Sequence, residues 1–246
     1  MQAIIEISAY STEWAIAAAK AGASRIELCD NISEGGTTPS YGIIKQTLMR
    51  LKIPLVVLIR PRGGNFVYTD SEFESMKDDI SMLKETDAKG VVFGLLNRNG
   101  SVDLQRNKEL VELARPMEVC FHRAFDLTVD PEKSLNDLIE IGFDRILTSG
   151  QKIKAIDGVD LISRLNEIAD GRITIMPGGG IDSFNIGNIA RKTGAREFHL
   201  SAKRVDWEEP LNNQGEISFS APGTRLFKID VQKLRDVKEK MREFGN

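Results

Sequence analysis

Residues 118–126 read EVCFHRAFD, and the stretch sets His122, Arg123 and Asp126 directly behind the apolar run Val119-Cys120-Phe121. The whole chain has two histidines and two cysteines, and this stretch holds one of each. An imidazole titrates near neutral pH and can give or take a proton, a guanidinium clamps carboxylate or phosphate, and a thiol is a soft metal ligand. The other members of these classes sit in similar settings. His199 lies in EFHLS, Cys29 in IELCD, Glu6 in IIEIS and Glu27 in RIELC, while Arg60 and Arg62 lie in LIRPRGGN. Each polar group stands at the end of an apolar run, so the question is which elements bring these runs together.

Strand-like runs alternate with helical patterns from end to end. The expected strands are Ala3–Ser8, Arg25–Cys29, Leu55–Arg60, Val91–Leu95, Glu118–Arg123, Arg145–Thr148, Ile173–Met176 and Glu197–Ser201. Eight strands, each followed by a helical segment, predict an α/β fold, the (β/α)8 TIM barrel. Helices are expected at Thr12–Ala21, after Thr38-Pro39 as an N-cap and N1 pair, over Asp70–Lys84, and from Asp130-Pro131 to Ile141 with Gly142 closing it. Asp182 is expected to cap a helix through Ala190. The tail, Asp230–Phe244, repeats Val231, Leu234, Val237 and Met241 and predicts a docked helix. Between the last strand and that helix, Arg204–Lys228 reads as one long irregular segment. No linker or composition break divides the chain, so residues 1–246 form one domain. Its barrel covers about 3–203 and its C-terminal extension 204–246.

Alternation along a barrel strand sorts the side chains. Helices cover the outside, so the outward set is apolar. Ile5, Ile7, Ile26, Leu28, Val57, Ile59, Val119, Phe121, Phe198 and Leu200 then face the helices. That leaves Glu6, Ser8, Glu27, Cys29, Arg60, Cys120, His122, His199 and Ser201 facing in, and in the sixth strand Thr148 sits opposite Leu147. The inward polar groups gather toward the C-terminal ends of the strands, where barrels of this kind carry their sites. A structural alternative stands beside this: Glu6 or Glu27 paired with Arg60 inside the barrel, since buried charges must be paired. Arg123 with Asp126 reads equally as a loop-bracing ion pair or as a ligand contact.

Glycine-rich loops follow several strands: SEGGTTPS, RPRGGNFVY, TSG and PGGGI. They let backbone amides approach a ligand. Gly178, Gly179 and Gly180 suit a phosphate, with Thr148, Ser149 and Ser201 offering hydroxyls. The rest of the composition narrows the function classes. Charged residues make up 28% and the net charge is −3, with both signs well mixed. This argues against nucleic acid as a partner. No secretory leader or apolar span is evident, and two cysteines in a chain of this length suggest a reducing compartment, so the expected location is the cytoplasm.

The motifs IELCDNISEGGTTPSYG, LIRPRGGNFVY, GVVFGLL, FHRAFD, RILTSG, IMPGGGI and EFHLSAK, in this order and spacing over about Ile4 to Lys203, resemble the CutC family, named for copper homeostasis. The resemblance implies a TIM barrel, self-association as a homodimer or higher homo-oligomer, and copper as Cu(I) handled in the cytoplasm. By the ELC motif it makes Cys29 the candidate thiol, with Cys120 as its partner in a two-coordinate Cu(I) site. Many relatives carry cysteine where this chain has Ser8 and some where it has Leu200, often with threonine at Cys120 and usually aspartate at Asn65, so the soft-ligand set is thinner here.

A second expectation needs no copper. His122, His199, Glu27 and Arg60 form an acid–base and anion-binding set, with Glu6 orienting a histidine or acting as base and Arg62 backing Arg60. That set predicts a lyase, isomerase or hydrolase acting on a small anionic or phosphorylated metabolite. No zinc motif, nucleophile elbow or dinucleotide fingerprint narrows the reaction further.

Overall fold

In the computed structural model, which describes residues 3–206 and 226–244, the chain runs β1 (Ile4–Ala9), α1 (Thr12–Lys20), β2 (Arg25–Leu28), α2 (Tyr41–Leu48), β3 (Leu55–Leu58), α3 (Asp70–Lys84), β4 (Gly90–Phe93), α4 (Leu104–Ala114), β5 (Glu118–Phe121), α5 (Pro131–Ile141), β6 (Arg145–Thr148), α6 (Val159–Ala169), β7 (Thr174–Pro177), α7 (Ile186–Thr193) and β8 (Glu197–Leu200). A short ribbon, β9 (Lys203–Asp206) with β10 (Leu226–Ile229), and α8 (Val231–Phe244) complete it. The strands pair in parallel in the order β7-β6-β5-β4-β3-β2-β1-β8, and a parallel bridge between Gly178 and His199 brings the two ends of the sheet together. The eight expected strands are present, in TIM-barrel order. Among the described residues no helix is long and apolar enough to cross a membrane.

The core has two parts, as the alternation requires. A large cluster between strands and helices holds Ile5, Ile7, Ile26, Leu28, Val57, Ile59, Val119, Phe121, Phe198 and Leu200. A smaller one fills the barrel with Cys29, Val56, Leu58, Val92, Cys120, Leu147 and Met176. Below it, toward the N-terminal ends of the strands, lies a chain of charges, buried at Glu6, Arg25 and Glu197 and reaching the surface at Glu118. Arg25 Nε bonds Glu6 at 2.5 Å, Arg25 Nη2 bonds Glu197 at 2.7 Å, and Arg145 reaches Glu197 and Glu118 at 2.8 Å each. Internal ion pairing does occur, but Glu6 takes Arg25 as its partner and not Arg60.

Several boundaries differ from expectation. β3, β4 and β5 end two residues early, because Arg60, Leu95 and Arg123 have already left the ladder for the loops. The α2 cap is Ser40, whose hydroxyl accepts from Ile43 N. Thr38 instead ties the preceding loop to β3, its hydroxyl accepting from Arg60 N at 2.9 Å. Asp182 caps a turn, accepting from Phe184 N and Asn185 N, and α7 starts after it. The segment expected to be irregular is partly ordered: Lys203–Asp206 and Leu226–Ile229 pair antiparallel, while 207–225 lie outside the described residues. Helix α8 buries Leu234 and Val237 and packs against α7 and α1, which flank the eighth helical position of the barrel.

Candidate functional site

At the C-terminal end of the barrel lies a cavity of about 120 Å³, room for roughly four waters or a small organic anion. Glu27, Arg60, His122 and His199 all line it, as the alternation predicts. Tyr10, Phe66 and Arg123 line it as well. Tyr10 continues the inward side of β1 two residues beyond Ser8, so the period-2 pattern held a signal for it. Phe66 comes from the β3–α3 loop, where no period applies.

The two histidines sit in opposite surroundings. His199 Nδ1 is 2.8 Å from Glu6 Oε1 and its Nε2 is 3.7 Å from Glu27 Oε2. Burial works against its charge, but the two carboxylates outweigh burial and hold the imidazole above the ordinary histidine value. His122 has no carboxylate beside it. Burial, and then the charge of Arg60, push it down to about 3, so it is neutral at physiological pH. Its ring packs 4.7 Å from the Phe66 ring and fits because position 94 is glycine: a Cβ there would stand 2.8 Å from His122 Nδ1.

The carboxylates diverge too. Burial opposes ionisation of Glu6, yet the His199 hydrogen bond and the Arg25 charge hold it at about 2. Glu27 is pushed up, by burial first and by the Glu6 charge as well, with His199 opposing. A carboxyl raised in this way is suited to proton transfer near neutral pH.

Arg60 is fixed rather than free. Its Nη1 donates to the carbonyls of Glu34 (2.7 Å) and Gly36 (2.6 Å), and its Nη2 to that of Gly64 (2.9 Å). Arg123 is bound by Asp126 at 2.8 Å and by Ser149 Oγ at 2.7 Å and still reaches the cavity. Its bonds brace the loop, and its side chain forms part of the cavity wall.

The other expected residues lie elsewhere. Arg62 turns outward to Glu72 at 2.5 Å and braces its own loop through the carbonyls of Asn65 and Val67. Leu147 takes the inward place on β6, so Thr148 faces away and donates to Asp126, as does Ser149. Gly178 N–H is taken by the Thr148 carbonyl at 2.9 Å, and neither Gly179, Gly180 nor Ser201 borders the cavity. Glu6 lies one layer down, reaching it only through His199. Cys29 and Cys120 are buried in the barrel interior, and neither borders the cavity. Burial pushes both thiols well up, with Glu27 adding to the effect on Cys29. Among the described residues no three His, Cys, Asp or Glu side chains are arranged as a metal centre.

A sequence model of the CutC family matches residues 3–204. The chain belongs to the CutC family. It is 44% identical over 245 residues to a family protein CutC of Parabacteroides distasonis, covering 99% of this chain and all of that one. It is 48% identical over 200 residues to the human copper homeostasis protein cutC homolog, covering 81% of this chain and 73% of the human one. The crystal structure of the copper homeostasis protein CutC from Streptococcus agalactiae superposes with a TM-score of 0.74 at 38% identity, over 80% of this chain and 98% of that one. The CutC match ends at the start of the β9–β10 ribbon, so it covers all eight barrel strands and every residue that lines the cavity.

Proposed function

We propose that the barrel mouth binds a small anionic metabolite and moves a proton on it, as a lyase, isomerase or hydrolase. One observation carries this reading: two histidines border one cavity, one neutral and the other held toward its protonated form. Titratable groups driven apart in one site are the usual mark of divided acid–base roles. In this reading Glu27 is the base, His199 charges or discharges beside it, and Arg60 and Arg123 attract the anion. The test is a library of small carboxylates and phosphate esters, screened by thermal shift and then by NMR for conversion. A true substrate stabilises the protein and is converted, with Glu27→Gln and His199→Gln slower by about 10²-fold or more while ligand binding persists. A compound converted as fast by both variants would sink the assignment.

A second reading takes the family name literally and treats Cu(I) as cargo. It is favoured by the two thiols, Cys29 and Cys120, which both lie in the apolar barrel interior and are the donor type that Cu(I) prefers. Binding would displace the thiol protons. Both readings suit a reducing cytoplasm. Self-association as a homodimer or larger is proposed from the family resemblance and is tested by sedimentation velocity.

A further inference from the structure

Two residues that line the cavity each carry a buried nitrogen without a hydrogen-bond partner, His122 Nε2 and Arg60 Nε, and the Tyr68 hydroxyl, also unpartnered, lies beside the Arg60 guanidinium. His122 and Arg60 are each 6% exposed. A buried donor left without a partner costs about 1–3 kcal/mol, so such atoms call for an explanation. The proton on His122 can be placed. The backbone N–H of Ala124 donates to Nδ1 at 3.3 Å, so Nδ1 offers a lone pair and the proton of the neutral ring sits on Nε2. His122 therefore keeps a donor, Nε2–H, on a side chain that lines the cavity, and Arg60 Nε–H is a donor at any physiological pH. Both side chains rest on one ring, with Arg60 Cζ 5.1 Å and the His122 centroid 4.7 Å from the centroid of Phe66. The three carbonyls on Arg60 and the glycine at 94 hold this arrangement in place.

We infer that His122 Nε2–H and Arg60 Nε–H form a preorganised donor pair for a developing oxyanion, and that the substrate is a small anionic oxo compound processed through an enolate. The inference rests on the proton-transfer reading and deepens it. The Glu27 carboxylate removes the proton from the carbon beside the carbonyl. The C–H electron pair becomes the C=C bond, and the carbonyl π pair moves onto oxygen, where the two donors receive it. Return of the proton from Glu27 to the same face of that carbon completes exchange, with nothing consumed. A neutral imidazole suits this role because it donates a hydrogen bond without surrendering a proton. Fixed donors aimed at developing charge are commonly the largest single contribution to catalysis.

Because the chain has only two histidines, long-range proton–nitrogen spectra of ¹⁵N-labelled protein read both rings directly. The expected spectrum shows one ring in the Nε2–H form that does not titrate between about pH 5 and 8, and its signals vanish in His122→Phe. Oxalate, a small planar dianion that mimics an enolate, is the probe. It should shift that Nε2–H resonance, with binding weakened about tenfold or more in His122→Phe and in Arg60→Met; His122→Gln serves if the phenylalanine variant fails to fold. An Nδ1–H tautomer, a His122 that titrates near its ordinary value, or oxalate binding unchanged in the variants overturns the donor pair. The proton-transfer reading fails separately: oxalate bound through Nε2–H, with turnover unaffected by Glu27→Gln and His199→Gln, would leave the pair standing and remove the base.

Discussion

Asp126 and Thr148 are joined by a 2.5 Å hydrogen bond from the threonine hydroxyl to Asp126 Oδ1. The same carboxylate accepts from the backbone N–H groups of Ser149 and Gln151 and from the Ser149 hydroxyl. The end of FHRAFD thus holds the TSG motif after β6, and through Arg123 it also sets one wall of the cavity. The Asp126 side chain is 8% exposed. Asp126→Ala should cost about 2–4 kcal/mol, since several charge-assisted bonds are lost at once, and Asp126→Asn should cost less. Urea unfolding measures both; a change under about 0.5 kcal/mol for the alanine variant, the size of an ordinary surface substitution, would contradict this role.

Arg25 links Glu6 and Glu197 inside the barrel. Arg25→Met leaves both carboxylates without that partner and is expected to destabilise by roughly 3–5 kcal/mol. Glu6 would also lose one of the charges that keep it ionised, so the pH at which His199 titrates should move. Chemical denaturation and histidine NMR titration of the same variant check the two consequences together.

The two histidines predict opposite pH limbs. In the fold His122 stays neutral down to about 3, against 6.5 for an ordinary histidine. The unfolded chain therefore binds the extra proton between those values, and stability falls as pH drops below 6.5. Glu6, at about 2 against 4.5, has the same sign below 4.5. His199 is raised: its contribution is complete below 6.5 and is lost as pH climbs through its folded value. Glu27 is raised as well, so it favours the fold as pH falls toward 4.5 and opposes His122 there. Comparison with His122→Phe isolates the first effect. The stability difference between wild type and variant should change by roughly 1.4 kcal/mol per pH unit from 6.5 to 4.5. A constant difference would mean that His122 is solvated.

Copper has its own test. In an anaerobic competition titration against a chromophoric Cu(I) chelator, the copper reading expects stoichiometric uptake that is lost in Cys29→Ser and in Cys120→Ser. Because burial raises both thiols, uptake should strengthen as pH rises. Weak binding, equal in all three proteins, would retire the copper reading for this chain.

The inward and outward residues of the strands were legible without coordinates, because a period of two leaves little choice once helices cover one face. Glu27, Arg60, His122 and His199 meet at one cavity for that reason. Arg62, Thr148 and Ser149 do not join them. They lie at or beyond the last strand residue, where the period ends and local partners such as Glu72 and Asp126 decide direction. Arg25 sits on the inward side of β2 by the same period, at the strand start, where it meets Glu6 and Glu197 and not the cavity.

The sequence by itself determined the eight-strand order, the family and the set of groups able to face the lumen, since these follow from alternation and from motifs carried in the chain. Tertiary structure alone decided which of those groups carry charge. Protonation depends on neighbours supplied by other strands and loops: Glu6 of β1 beside His199 of β8, and Arg60 of the β3 loop near His122 of the β5 loop. That separation in sequence is why two histidines, equivalent as letters, differ in charge: burial keeps His122 neutral, while two carboxylates hold His199 above the ordinary histidine value.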